Sequence, residues 1–298
     1  MASRLAAARA NWDRVAGGVA LAALFDTLDD VTHNLDVLSQ KMGDVRARGY
    51  RFGRAWEEQI ASIQMRWPEQ RQISLRLLED QRNVLQRSAR DVEQLLQQAA
   101  RNAGMIATAE SRILSFQQSV NAAESRVRNT FDTTQRQAFQ LQKELDDAVF
   151  VLDAMDNASF DLLPDEHAVA ACKATWSSDP DEPEGLLFLT DARLIFEQRQ
   201  EIATKKVLFV TTQKKLVQEL MWDSPIGAVE ELESEDQKAF LRRKEMLTLR
   251  FSERTRDIPS DVTLQLAGAD NETWTGLIRR AKSGQIDADR FGAPPPEE

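Results

Sequence analysis

Gly185-Leu186-Leu187-Phe188-Leu189-Thr190-Asp191-Ala192-Arg193-Leu194-Ile195-Phe196 is the stretch on which the fold turns. Two apolar runs flank Thr190-Asp191, a pair of turn formers, and this order predicts a tight β-hairpin. Outward from it, apolar residues alternate with a period of two, as in half-buried strands. Leu216, Gln218, Leu220 and Trp222 alternate with Val217, Glu219 and Met221, and the pattern returns in Leu247, Leu249 and Phe251 and in Val262, Leu264 and Leu266. A helical pattern follows from about Asn271 to Ala281, with Trp274 on its apolar side. Several short strands closed by one helix predict a small α+β domain.

The residues just before the hairpin narrow this further. Leu163-Pro164-Asp165-Glu166, followed by residues 185–196, resembles the opening of bacterial PH-like and GRAM domains. In those, a Pro-Gly-Glu element precedes a strand-turn-strand of the form G-x-L-x-L-T-x-x-R-L-x-F. Asp165 stands here where glycine is usual. The resemblance continues through Trp222-Asp223-Ser224-Pro225-Ile226 into the terminal helix and covers roughly residues 160–283. It implies a seven-stranded, strongly bent sandwich or partly open barrel, plugged at one end by a helix whose Trp274, Leu277 and Ile278 face the sheet. It also implies a binding platform: some such domains hold phosphoinositide headgroups, others peptides or proteins.

Toward the start of the chain the period changes to that of helices. Arg4, Arg9 and Arg14 before the apolar run Val15 to Phe25 loosely imitate a signal peptide, but Gly17 and Gly18 interrupt the run, which passes into Leu28, Val31, Leu35 and Leu38 at helical spacing. An amphipathic helix from about Asn11 to Gly49 is therefore expected, stopped by Gly49 and Gly53. A second helix is expected to run to Arg66, with a break or kink at Trp67-Pro68. Beyond it, Leu78, Leu85, Val92, Ala99, Ile106, Ile113, Val120, Val127, Thr134, Leu141, Ala148 and Met155 recur every seven residues. Between Ala123 and Met155, Val127, Phe131, Thr134, Ala138, Leu141, Leu145, Ala148 and Leu152 fit better, a four-four step that amounts to a stutter. Asn102-Ala103-Gly104 offers a place to end a helix and fold back. The unbroken heptad phase favours instead one continuous or gently kinked coiled-coil helix, paired with the earlier helices or with a second copy. The expected architecture is thus α+β: long coiled-coil helices over 1–157, a PH-like domain over 158–284 and a disordered tail over 285–298.

Length and charge bound the function. With 298 residues, two units are the natural expectation. A net charge of -10, with most excess carboxylate in the second half, argues against nucleic acid as a partner. The single cysteine, Cys172, makes no internal disulfide and reads as a buried thiol in a cytoplasmic protein. His33 and His167 are the only histidines, and no phosphate-cradling glycine motif is present, so no cofactor, metal or catalytic site is expected. The candidate ligand-binding residues are Lys205, Lys206, Lys214 and Lys215, which bracket Val207 to Gln213; Arg242-Arg243-Lys244 form a second basic cluster. Glu230, Glu231, Glu233, Glu235 and Asp236 oppose an anionic surface. The expected function is a non-enzymatic scaffold or adaptor, self-associating through the helical part and binding protein through the PH-like domain. The alternative is a peripheral membrane protein whose PH-like domain, aided by the first helix at the inner face, binds anionic lipid.

Overall fold

The computed structural model describes the backbone of residues 2–207, 210–239, 242–252 and 258–292, and the side chains over 3–200, 216–236, 244–252 and 258–292. The chain forms two compact units: Met1–Gln40 with Glu57–Gln142, and Lys41–Trp56 with Lys143–Glu298.

The first unit is built from α1 (Ala2–Val15), α2 (Ala22–Ala47), α3 (Trp56–Arg101), α4 (Ile106–Arg128) and α5 (Asp132–Asp156), with the ends of α2 and α5 passing into the second. The single opening helix expected from Asn11 to Gly49 is in fact two. A 3-10 turn, Ala16–Ala20, and Leu21 at φ 48° divide it. Gly18 suits the division: a Cβ there would lie 2.9 Å from Val120 Cγ1, so the turn packs onto the Val120 side chain of α4 in a space that glycine leaves open.

Of the break or kink expected at Trp67-Pro68, the break does not occur: Pro68 lies inside α3. Proline removes the bond that its N–H would give to the Gln64 carbonyl. Contacts to α2 on both sides compensate. Gln64 Nε2 donates to the Leu35 carbonyl at 3.1 Å, the Trp67 indole donates to Thr32 Oγ1 at 2.9 Å, and Arg71 pairs with Asp29 at 2.7 Å. These residues share one helical face.

The continuous helix expected across Gly104 is also overturned. α3 ends at Arg101, Asn102 leaves the helical region at φ -135°, and its Oδ1 accepts the Gly104 N–H at 3.0 Å. The chain then returns antiparallel. Asp91 meets Arg112 at 3.0 Å, Ser74 meets Thr130 at 2.6 Å and Gln70 meets Thr134 at 2.6 Å, each pair symmetric about Asn102 to within one residue. The heptad phase survives because the short turn takes up its share of the repeat, leaving Ala99 and Ile106 both buried. Leu78, Leu85, Val92, Ile113, Val120 and Val127 are buried with them, so the seam read in the sequence is the intramolecular seam of this hairpin. Where a stutter is expected the helix is interrupted: α4 ends at Arg128, Phe131 is wholly buried in the turn that leads into α5, and farther on Val151 is buried while Leu152 is half-buried.

The second unit holds β1 (Ala168–Trp176), β2 (Glu184–Thr190), β3 (Arg193–Val207), β4 (Val210–Pro225), β5 (Val229–Ala239), β6 (Arg242–Phe251), β7 (Asp261–Ala267) and α6 (Asn271–Lys282). They form an open antiparallel sheet in the order β4-β3-β2-β1-β7-β6-β5. This is the expected α+β, PH-like arrangement. The deciding hairpin forms as read, with Leu189 opposite Leu194 around Asp191-Ala192. Trp176, Phe196, Trp222 and Phe251 pack on one face at centroid distances of 5.7–6.4 Å. Trp274 and Ile278 of α6 are buried, and Leu277 half-buried. On the opposite face Leu186, Phe188 and Ile195 meet Ala154 and Phe150 of α5 and Phe160.

The link between α2 and α3 belongs to this unit. Arg46 donates to the carbonyls of Tyr50, Phe52 and Gly53 at 2.6–3.0 Å and lies over the rings of Trp56 and Phe291. Tyr50 donates to the Val169 carbonyl of β1 at 2.8 Å. The expected disordered tail therefore gives way over its first residues. Gln285–Asp289 form a 3-10 turn with Ile286 buried, Arg54 N–H donates to the Asp289 carbonyl at 3.1 Å, and Phe291 N–H donates to the Arg51 carbonyl at 2.6 Å. Pro294-Pro295-Pro296 lie outside the described residues.

Candidate binding edge

The segment leading into the sheet is pinned by Glu166. Its carboxylate accepts Thr190 Oγ1 at 2.6 Å, two guanidinium bonds from Arg193 at 2.8–2.9 Å and the Leu163 N–H at 2.7 Å. Arg193 also pairs with Asp223 of β4. Burial pushes the Glu166 pKa up, but the bonds from Arg193, Thr190 and Leu163 outweigh it and hold the group below the ordinary glutamate value. This network fixes β2, β3 and β4 relative to one another at their paired ends.

Farther along the same hairpin the register shifts. Phe196 pairs with Trp222 and Glu197 with Leu220, so Met221 is an extra residue on β4. The sequence reads Leu216, Gln218, Leu220 and Trp222 as one face of one strand, and the structure corrects this. Trp222 is buried, whereas past the bulge Leu220 and Leu216 are 39% and 55% exposed. β4 ends the sheet order, so these leucines stand on an edge strand. Their partners across the ladder are Glu197 and Glu201, which give them no apolar cover.

Glu197 organises this face. Its buried carboxylate accepts the Ser159 N–H at 2.5 Å, Gln218 Nε2 at 3.0 Å and Arg199 at 2.6 Å, while Arg199 also donates to the Asn157 carbonyl at 2.6 Å. Burial raises its pKa, and these donors more than reverse the effect, leaving it below the ordinary value. The end of α5 is thereby tied to the β3–β4 hairpin. Sequence reasoning missed both Glu197 and the exposed leucines. The available signal was the polar run Glu197-Gln198-Arg199-Gln200-Glu201, which leaves the apolar half of its partner strand uncovered.

The backbone brings the predicted lysines to the far part of this hairpin, where Ala203 is opposite Lys214, Ile202 opposite Lys215 and Lys205 opposite Gln213, with Lys206 next in the same strand. Their side chains lie outside the described residues, as do those of Arg242 and Arg243. Glu230, Glu231, Glu233, Glu235 and Asp236 on β5 are exposed. The β1–β2 turn carries Asp179, Asp181 and Glu182 and no basic residue.

His33 and His167 fall in different units. His167 faces Asp191, which also binds Arg290. Cys172 is buried, and burial pushes its thiol pKa far up. Among the described residues, no group of three His, Cys, Asp or Glu is arranged to hold a metal ion, and no helix is long and apolar enough to cross a membrane.

No protein-family model matches the chain, and a search of curated proteins gives no match. Solved structures similar to it include the Vps36 N-terminal PH domain, with 16% identity over 44% of this chain and 90% of that one at a TM-score of 0.28. Another is the complex of PDZ-RhoGEF DH/PH domains with GTP-gamma-S activated RhoA, with 15% identity over 91% and 97% at a TM-score of 0.29. Similarity at this level carries no functional information.

Proposed function

We propose that the chain is a non-enzymatic scaffold whose PH-like unit binds an extended protein segment along β4 and whose helical unit associates with a second copy. The observation that supports it is the exposure of Leu216 and Leu220 on an edge strand. An edge strand presents unpaired backbone donors and acceptors, and large apolar side chains beside it favour a partner strand that covers them. The lysine-bearing stretch continues directly from Leu216, so the preferred segment alternates apolar residues and carries carboxylates at one end. The acidic β1–β2 turn and β5 disfavour an anionic bilayer.

The test compares the full chain with a Leu216→Asp, Leu220→Asp variant. Proteins that crosslink to the wild-type β4 strand are expected to be lost from the variant, while phosphatidylserine vesicles at low salt bind neither. Vesicle binding by the wild type that disappears when Lys205, Lys206, Lys214 and Lys215 become Glu overturns this reading in favour of the lipid alternative.

A further inference from the structure

The heptad seam of α3 is spent inside the hairpin, with Leu78, Leu85 and Val92 each at most 1% exposed. Self-association through the helical unit therefore needs another face. The opposite side of α3 carries Glu69, Ile73, Arg76, Asp80, Val84 and Arg87, spaced by three or four residues and all exposed. Ile73 and Val84 are each 52% exposed, the two apolar side chains of a stripe that is otherwise charged. The four charged residues have no ion-pair partner among the described residues.

Read from either end, the stripe has the same pattern with its charges inverted: acidic, apolar, basic in one direction and basic, apolar, acidic in the other. We infer that two copies of this chain pair antiparallel along this face of α3, about a two-fold axis that crosses the face at the level of residue 78. Glu69 then lies opposite Arg87, Ile73 opposite Val84 and Arg76 opposite Asp80, each contact occurring twice as a two-fold interface requires. The stripe spans about 27 Å at ~1.5 Å per residue. A parallel, in-register pair places every charge against its own kind, so the pattern selects orientation as well as partner. The apolar pairs supply the attraction, and the ion pairs, exposed at the rim, fix the register.

This inference rests on the self-association half of the proposed function, and the experiment separates the two. Sedimentation equilibrium is run on the full chain, on an all-acidic variant with Arg76→Glu and Arg87→Glu, on an all-basic variant with Glu69→Lys and Asp80→Lys, and on their equimolar mixture. Circular dichroism checks that helicity is unchanged. The wild type is expected to dimerise reversibly, each variant alone to bind itself at least about tenfold more weakly, and the mixture to recover the dimer. A variant that dimerises like the wild type, or a mixture that stays monomeric while the wild type dimerises, overturns this face and leaves self-association standing. A wild-type chain that is monomeric throughout overturns both.

Discussion

The helical unit and the PH-like unit both bury polar side chains, but of different kinds. In the helical hairpin Ser74 and Thr134 are buried in a neutral network with Gln70 and Thr130. In the PH-like unit Glu166 and Glu197 are buried as carboxylates held by Arg193 and Arg199. A neutral hydrogen bond contributes about 1 kcal/mol, whereas a buried charge deprived of its partner costs several. The first arrangement fixes the register of a hairpin whose apolar seam already stabilises it. The second makes the sheet dependent on single residues and on pH.

The largest effect should follow Arg193→Ala. It leaves Glu166, whose side chain is 1% exposed, without its guanidinium, and frees Asp223 as well. A loss of about 3–5 kcal/mol is expected for the PH-like unit. Protection of β1–β4 amides from hydrogen exchange should fall while that of α3 stays close to wild type. Equal loss in both units would break the comparison.

Acid provides the next test. Glu166 and Glu197 have folded pKa values below the ordinary glutamate value, so their contribution is complete above that value and is lost as pH falls through the lowered folded values. The neutral network of the hairpin holds no titrating group. Between about pH 5 and pH 3 the protection factors of β2 and β3 should drop before those of α3. A hairpin that loosens first contradicts the contrast.

What the sequence made legible follows the same division. The β-hairpin at Thr190-Asp191 was readable because turn chemistry and apolar runs are local. Its continuation was not, because one extra residue, Met221, reverses the outward face of β4 and no local signal marks a bulge. In the helical unit most of the buried seam was legible, Met155 being only half-buried, but its partner was not. A seven-residue phase is the same whether a helix continues or folds back through a turn that keeps register. Asn102-Ala103-Gly104 and Trp67-Pro68 are both local stop signals, and only the first acts. There the side chain of Asn102 supplies a bond that ends the helix, while at Pro68 tertiary contacts through Gln64, Trp67 and Arg71 override the signal.

Pro68→Ala should accordingly stabilise the helical unit. It restores a donor for the Gln64 carbonyl and removes a ring from the helix interior, for a gain of about 1–3 kcal/mol at an exposed site. Urea unfolding followed by the helical circular dichroism signal measures it. A destabilised variant would mean that α3 is bent at Pro68 to fit α2 and that the override is mutual.

The smallest effect concerns Asp165, the residue that departs from the pattern the chain otherwise resembles. Leu163-Pro164-Asp165-Glu166 is a tight turn closed by the Glu166 N–H on the Leu163 carbonyl at 3.1 Å, and Asp165 sits at its third position with φ 63°. That position of such a turn calls for a positive φ, which glycine adopts without cost. Aspartate tolerates it better than most residues, so the strain is small, and glycine loses more freedom on folding. Asp165→Gly should therefore stabilise the PH-like unit by only about 0.5 kcal/mol. The same substitution in the Arg193→Ala background should lose this gain, because the turn is worth ordering only while Glu166 has its cation. A gain that is undiminished there would show that turn and charge network act independently, and that the buried carboxylate depends on Arg193 alone rather than on the geometry of the segment that carries it.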